Sequence, residues 1–135
     1  MKKEYYIVFL FLVVASMILL SGCTQETAGT TKLGDIISNS SFYNGKTVII
    51  DGKFGGWGGD FDCSNWDMAM YTKSDSIIYD DTGCLYMVAR GSSGIEVLYK
   101  EKELYPMDQS NLGGNIKIKA VVSLIDGKPI LGKVD

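Results

Sequence analysis

Along residues 47–54, TVIIDGKF, apolar and polar side chains alternate. Val48, Ile50, Gly52 and Phe54 fall on one face, and Thr47, Ile49, Asp51 and Lys53 on the other. A period of two predicts a strand with one face on a core. The pattern returns in residues 115–124, NIKIKAVVSL, with Ile116, Ile118, Ala120, Val122 and Leu124 inward. Residues 66–72 (WDMAMYT) and 76–80 (SIIYD) alternate more briefly. Residues 84–90 (CLYMVAR) are apolar on both faces and predict a central strand, and PILGKV, residues 129–134, is the last strand. Asn44-Gly45, Asp81-Thr82-Gly83 and Asp126-Gly127 punctuate these runs as turns, with Gly83 expected at positive φ. Asp35 is placed to cap a short helix carrying Ile36 and Ile37. Residues 55–65 are glycine-rich and predict a loop. Residues 94–105, GIEVLYKEKELY, fit either a short helix or a strand and turn, ended by Pro106. No repeat at a solenoid period is present.

Ahead of the alternating region the pattern is different. Met1 to Glu4 lean basic, and Tyr5 to Leu20 run without a charge, a glycine or a proline. A membrane-spanning helix needs about 20 apolar residues, so this shorter run fits the apolar core of a signal peptide better. It ends in Leu20-Ser21-Gly22-Cys23. That ending resembles a bacterial or archaeal lipoprotein signal, in which a leucine and two small residues precede a lipid-modified cysteine. The resemblance implies that residues 1–22 are removed and that Cys23 carries a diacylglycerol with palmitate-type acyl chains. The alternative is an uncleaved anchor helix with Cys23 unmodified. Both place the remainder at the cell membrane, facing outside the cytoplasm. Residues 23–32, small and polar, then form a flexible tether, and residues 33–135 form one domain.

The chain has 13 basic and 16 acidic residues, and loss of Lys2, Lys3 and Glu4 with a leader deepens the acidic balance. Nucleic-acid binders draw affinity from neutralising phosphates, so no nucleic-acid partner is expected. The chain contains no His, which removes the commonest general base and zinc ligand. With Cys23 assigned to lipid, Cys63 and Cys84 remain, and outside the cytoplasm such a pair reads as a disulfide. Its loop of about 21 residues would contribute on the order of 3 kcal/mol.

The order of strands, with a long irregular stretch between the third and fourth, resembles an OB-fold barrel of the anticodon-binding-like type. The matching residues are Val48 and Gly52 in the first strand, the hairpin DDTGCLYMV from Asp80 to Val88, the strand from Ile116 to Val122, and the hairpin from Asp126 to Leu131. The resemblance implies an all-β fold: a five-stranded antiparallel barrel with a short N-terminal helix, preceded by a signal-peptide helix. Gly52 would let the first strand bend. Ala120 stands where the family often has glycine.

Candidate chemistry is sparse. Trp57, Phe61 and Trp66 flank the glycine-rich loop, residues 55–66, where aromatic rings could stack on a ligand or cap the barrel. Asp60, Asp62 and Ser64 begin like a Ca²⁺ loop but lack its glycine and its bidentate glutamate, so they read as solvated carboxylates. Asp80 and Asp81 are neighbours on a strand and point to opposite faces, which argues against a catalytic pair. The string Asp81-Thr82-Gly83 also occurs in aspartic proteases, but those need a second lobe or subunit. The expectation is a non-enzymatic, membrane-tethered lipoprotein with no cofactor and no metal, whose barrel binds a protein partner in the envelope. The alternative is an oligosaccharide or Ca²⁺ binder using residues 55–66.

Overall fold

The computed structural model describes residues 29–57, 63, 67–89 and 94–134. The expected signal segment and Cys23 lie outside the described residues. The elements are α1 (Leu33–Ser38), α2 (Ser40–Tyr43), β1 (Thr47–Gly56), β2 (Ser76–Tyr79), β3 (Cys84–Met87), β4 (Ile95–Lys100), a 3-10 turn (Gln109–Asn111), β5 (Asn115–Ile125) and β6 (Lys128–Leu131).

Five of the strands close a ring in the order β1-β2-β3-β6-β5, sealed by pairing of β1 with β5. The barrel is mixed rather than wholly antiparallel, because β3 and β6 run parallel at Met87 and Leu131. The reason is geometric. Direction cannot alternate all the way round a ring with an odd number of strands, so one neighbouring pair must be parallel. β1 reaches both halves of the sheet by changing partner. Its residues Thr47 to Lys53 pair with β5, and Lys53 to Gly56 pair with β2. A side chain at Gly52 could not fit at this crossing, since its Cβ would stand 2.8 Å from the carbonyl oxygen of Tyr79.

β5 organises the rest. Val122 exchanges backbone hydrogen bonds with Gly45 and Lys46 on the β1 side, while Val121 donates to the Gly94 carbonyl (2.9 Å) and accepts from the Gly132 amide (2.7 Å) on the other. Thus one edge of β5 carries β1, and β4 and β6 share the opposite edge end to end. β4 is therefore an addition outside the ring, resolving the open reading of residues 94–105 as a strand.

The core is the inward row that the alternation predicts, except that Leu124, near the end of β5, is only half-buried. Val48, Ile50, Phe54, Ile116, Ile118, Ala120 and Val122 are buried together with Ile78, Leu85 and Leu131. Leu33 and Ile36 of α1 enter the same core. α1 rests on the β2–β3 turn through Asp80 and Thr82, and α2 meets the β5–β6 turn where Ser40 approaches the Gly127 carbonyl. The helices therefore lie at one end of the barrel. The long connection from β4 to β5 covers the other: Phe54 and Gly113–Gly114 exchange backbone hydrogen bonds, and Gly56, at φ 57°, lies against Leu112 and the Pro106 carbonyl. The turn at Asp126-Gly127 has both residues at positive φ, as the hairpin signal predicts.

Three local expectations are corrected. Asp35 lies inside α1, not at its cap. The free amides of Leu33 and Gly34 are instead taken by the side chains of Asp80 and Thr82, brought in from the β2–β3 turn. Gly83 is not at positive φ, because the Asp80 carboxylate holds that turn by accepting from the amides of Thr82 and Gly83. Residues 67–72 form no strand despite their alternation. The buried Asp75 carboxylate accepts from the amides of Tyr71 and Thr72 at 2.7 Å each, which withdraws them from a ladder.

Candidate functional site

Trp57 directly follows β1 and is 47% exposed. Its indole N–H donates to the Ser74 carbonyl at 3.4 Å, which leans the ring over the segment leading into β2. Met70 and Tyr71, also exposed, lie in that segment. Phe61 and Trp66, with Asp60, Asp62 and Ser64, lie outside the described residues, so the aromatic cluster expected around the glycine-rich loop is represented here by Trp57.

Cys63 and Cys84 form a disulfide with Cα atoms 6.1 Å apart. Both are buried and pack with Ile77, so the bond staples the connection after β1 to the start of β3. The charged positions near it are structural. Asp67 pairs with Lys128 at 2.8 Å, and this carboxylate holds the lysine above its ordinary pKa. Asp80 serves the turn and the start of α1, as described above. Asp81 points away to Lys32 at 2.6 Å. That hydrogen bond, with the lysine's charge, draws the Asp81 carboxyl below the usual value. Asp80 and Asp81 lie in the turn beyond β2 rather than on a strand, and their carboxylates meet neighbouring residues at the start of α1, Leu33 and Lys32. Asp75 is equally engaged: Thr72 and Ala89 donate to the oxygen that Tyr71 leaves free. Among the described residues, no three His, Cys, Asp or Glu side chains gather as metal ligands.

A further exposed apolar surface is one that the sequence pattern did not single out. β4 pairs with β5 along one edge, and among the described residues nothing pairs with its other edge. The cross-strand register sets Ile95 opposite Ala120 and Val97 opposite Ile118, then shifts between Val97 and Tyr99. The shift falls at Leu98, and Val97, Leu98 and Tyr99 are exposed in succession. Beyond the strand, Tyr105 and Met107 are exposed as well. Between strand and loop runs an open groove of about 440 Å³, lined by residues 97–100 and 103–105.

The charges around this surface are held locally. Lys100 and Glu103 pair at 2.6 Å. Lys102 donates to the carbonyls of Ser110 and Leu112, and Glu101 accepts from the Asn115 amide. Asp108 accepts from the Ser110 hydroxyl and amide, which lowers its carboxyl pKa. The sequence signal was present in a weak form: three successive apolar residues among charges, a run that neither a clean strand nor a clean helix explains.

No family model, curated protein or solved structure matches this chain. The functional reading therefore rests on the residues and their geometry.

Proposed function

We propose that this protein is a membrane-tethered lipoprotein outside the cytoplasm, anchored through Cys23, whose OB-like barrel is a non-enzymatic binding module for a protein partner in the envelope. The observation that carries the reading is the Cys63–Cys84 disulfide. Disulfides persist in oxidising compartments, and this one leaves Cys23 as the single cysteine available for another use. Its place, directly behind a short apolar run, suits lipid attachment. The closed ring with its parallel β3–β6 pair is in keeping with the OB order, in which the strand after the first hairpin meets the final strand. The carboxylates of Asp75 and Asp80 hold turns and those of Asp67 and Asp81 pair with lysines, which suits a scaffold rather than acid–base chemistry.

The test is Cys23→Ser with acyl labelling in a host that processes lipoproteins. The expected result is an unlabelled precursor that keeps residues 1–22. Normal cleavage and labelling of the variant would contradict the anchor.

A further inference from the structure

We propose that the surface formed by β4 and the loop behind it, centred on Leu98, Tyr99, Tyr105 and Met107, docks the barrel onto the lipid bilayer to which the chain is tethered. The inference rests on the lipid-anchor reading and adds an orientation to it.

The first ground is position. Thr30 bridges Ile49, Ile49 pairs with Lys119, and Lys119 pairs with Glu96, so these four residues form one row across the sheet. With strands about 4.8 Å apart, the chain enters the domain roughly 14 Å from β4. The seven steps from Cys23 to Thr30 span at most about 25 Å when extended. An anchored domain is therefore held close enough for β4 to meet the membrane without stretching the tether.

The second ground is chemistry. Met107 is 76% exposed, and Leu98, Tyr99 and Tyr105 are exposed beside it. Tyrosines suit the boundary between acyl chains and headgroups, where the ring is buried and the hydroxyl stays wet. The nearby charges at Lys100, Glu103, Lys102 and Glu101 are paired or bonded to backbone within the domain. Carboxylates (Glu96, Glu101, Glu103, Asp108) and lysines (Lys100, Lys102, Lys117, Lys119) are interspersed around it, so the surface offers apolar and aromatic contact without a strong field of either sign, matching a neutral lipid surface. The shifted register in β4 also breaks the regular spacing of free backbone groups, which disfavours addition of another strand there.

The test uses the full chain, purified from membranes and placed in phosphatidylcholine vesicles containing a nitroxide-labelled lipid. A bimane probe is attached after Met107→Cys or after Asp126→Cys, which lies at the opposite end of β5. The expected result is strong quenching at position 107 and little at 126. Adding Tyr99→Glu and Tyr105→Glu should abolish the quenching at 107 while the chain still floats with the vesicles. Equal quenching at both positions, or none at 107 in a chain that floats, overturns the docking. Protection at 107 that appears only as the protein-to-lipid ratio rises would identify a second copy as occupant and overturn it too. The mass of the floated chain reads the anchor separately: retention of residues 1–22 without lipid would sink the anchor reading, while the quenching at 107 would still decide the docking.

Discussion

Ile118 and Val97 stand directly opposite each other on neighbouring strands. Ile118 is fully buried, whereas Val97 is 44% exposed. Both are β-branched and both sit in a hydrogen-bonded ladder, so neither side-chain type nor local backbone explains the difference. Position in the topology does. β5 is flanked on both edges and faces the inside of the ring, while β4 is attached outside it and, among the described residues, flanked on one edge. A strand in the ring is buried by the closure of the barrel. A strand beside the ring is buried only by what comes to it from elsewhere, and that contrast turns β4 from a structural element into a candidate surface.

The contrast can be broken by substitution. Ile118→Ala should cost about 2–5 kcal/mol, the range for emptying a core position. Val97→Ala should change stability by no more than about 0.5 kcal/mol, as at exposed positions. Urea unfolding of the two variants measures both, and similar losses would mean that β4 is integral to the core. The disulfide gives a second, comparable handle on the ring side alone. Its sequence separation is 21 residues, and reduction should cost on the order of 3 kcal/mol and lower Tm by several degrees. Hydrogen exchange after reduction should quicken around β3 and leave the β4 amides as they were, since the bond does not touch β4.

The smallest expected effect is at the helix end. The Asp81 carboxyl is held below its ordinary pKa chiefly by the Lys32 hydrogen bond. A carboxyl depressed by folding contributes stability above its unfolded pKa and loses it as pH falls through the folded value. Lys32→Met should therefore lower Tm slightly at neutral pH, and the difference from wild type should close below about pH 4. Both side chains are exposed, so the neutral-pH loss should be the least of the three. A difference that persists undiminished at pH 3 would mean the lysine acts through packing rather than charge.

The parts of the fold that were legible in sequence are those whose burial follows from a local period. β1 and β5 alternate over long runs, and their inward residues are the core. What was not legible depends on groups distant along the chain. Asp35 looked like the cap of α1, but Asp80 and Thr82 take that role because the β2–β3 turn folds against the helix. Residues 67–72 looked like a strand, but the amides of Tyr71 and Thr72 turn to Asp75. The parallel β3–β6 pair follows from closing five strands, which no single segment announces. For the site, the pairing of Cys63 with Cys84 was legible from the cysteine count, given the expectation of an oxidising compartment. The β4 surface was not, because IEVLYK has the apolar residues of a buried strand, and among the described residues nothing pairs with its second edge.

The central claim is that this barrel is held at a membrane through Cys23 and stapled by the other two cysteines. The most direct measurement is the intact mass of the chain extracted from membranes, alkylated before and after reduction. The account predicts a chain beginning at Cys23, carrying a diacylglyceryl group, with no alkylated cysteine before reduction and both Cys63 and Cys84 alkylated after it. A chain beginning at Met1 with an alkylatable Cys23 would contradict it.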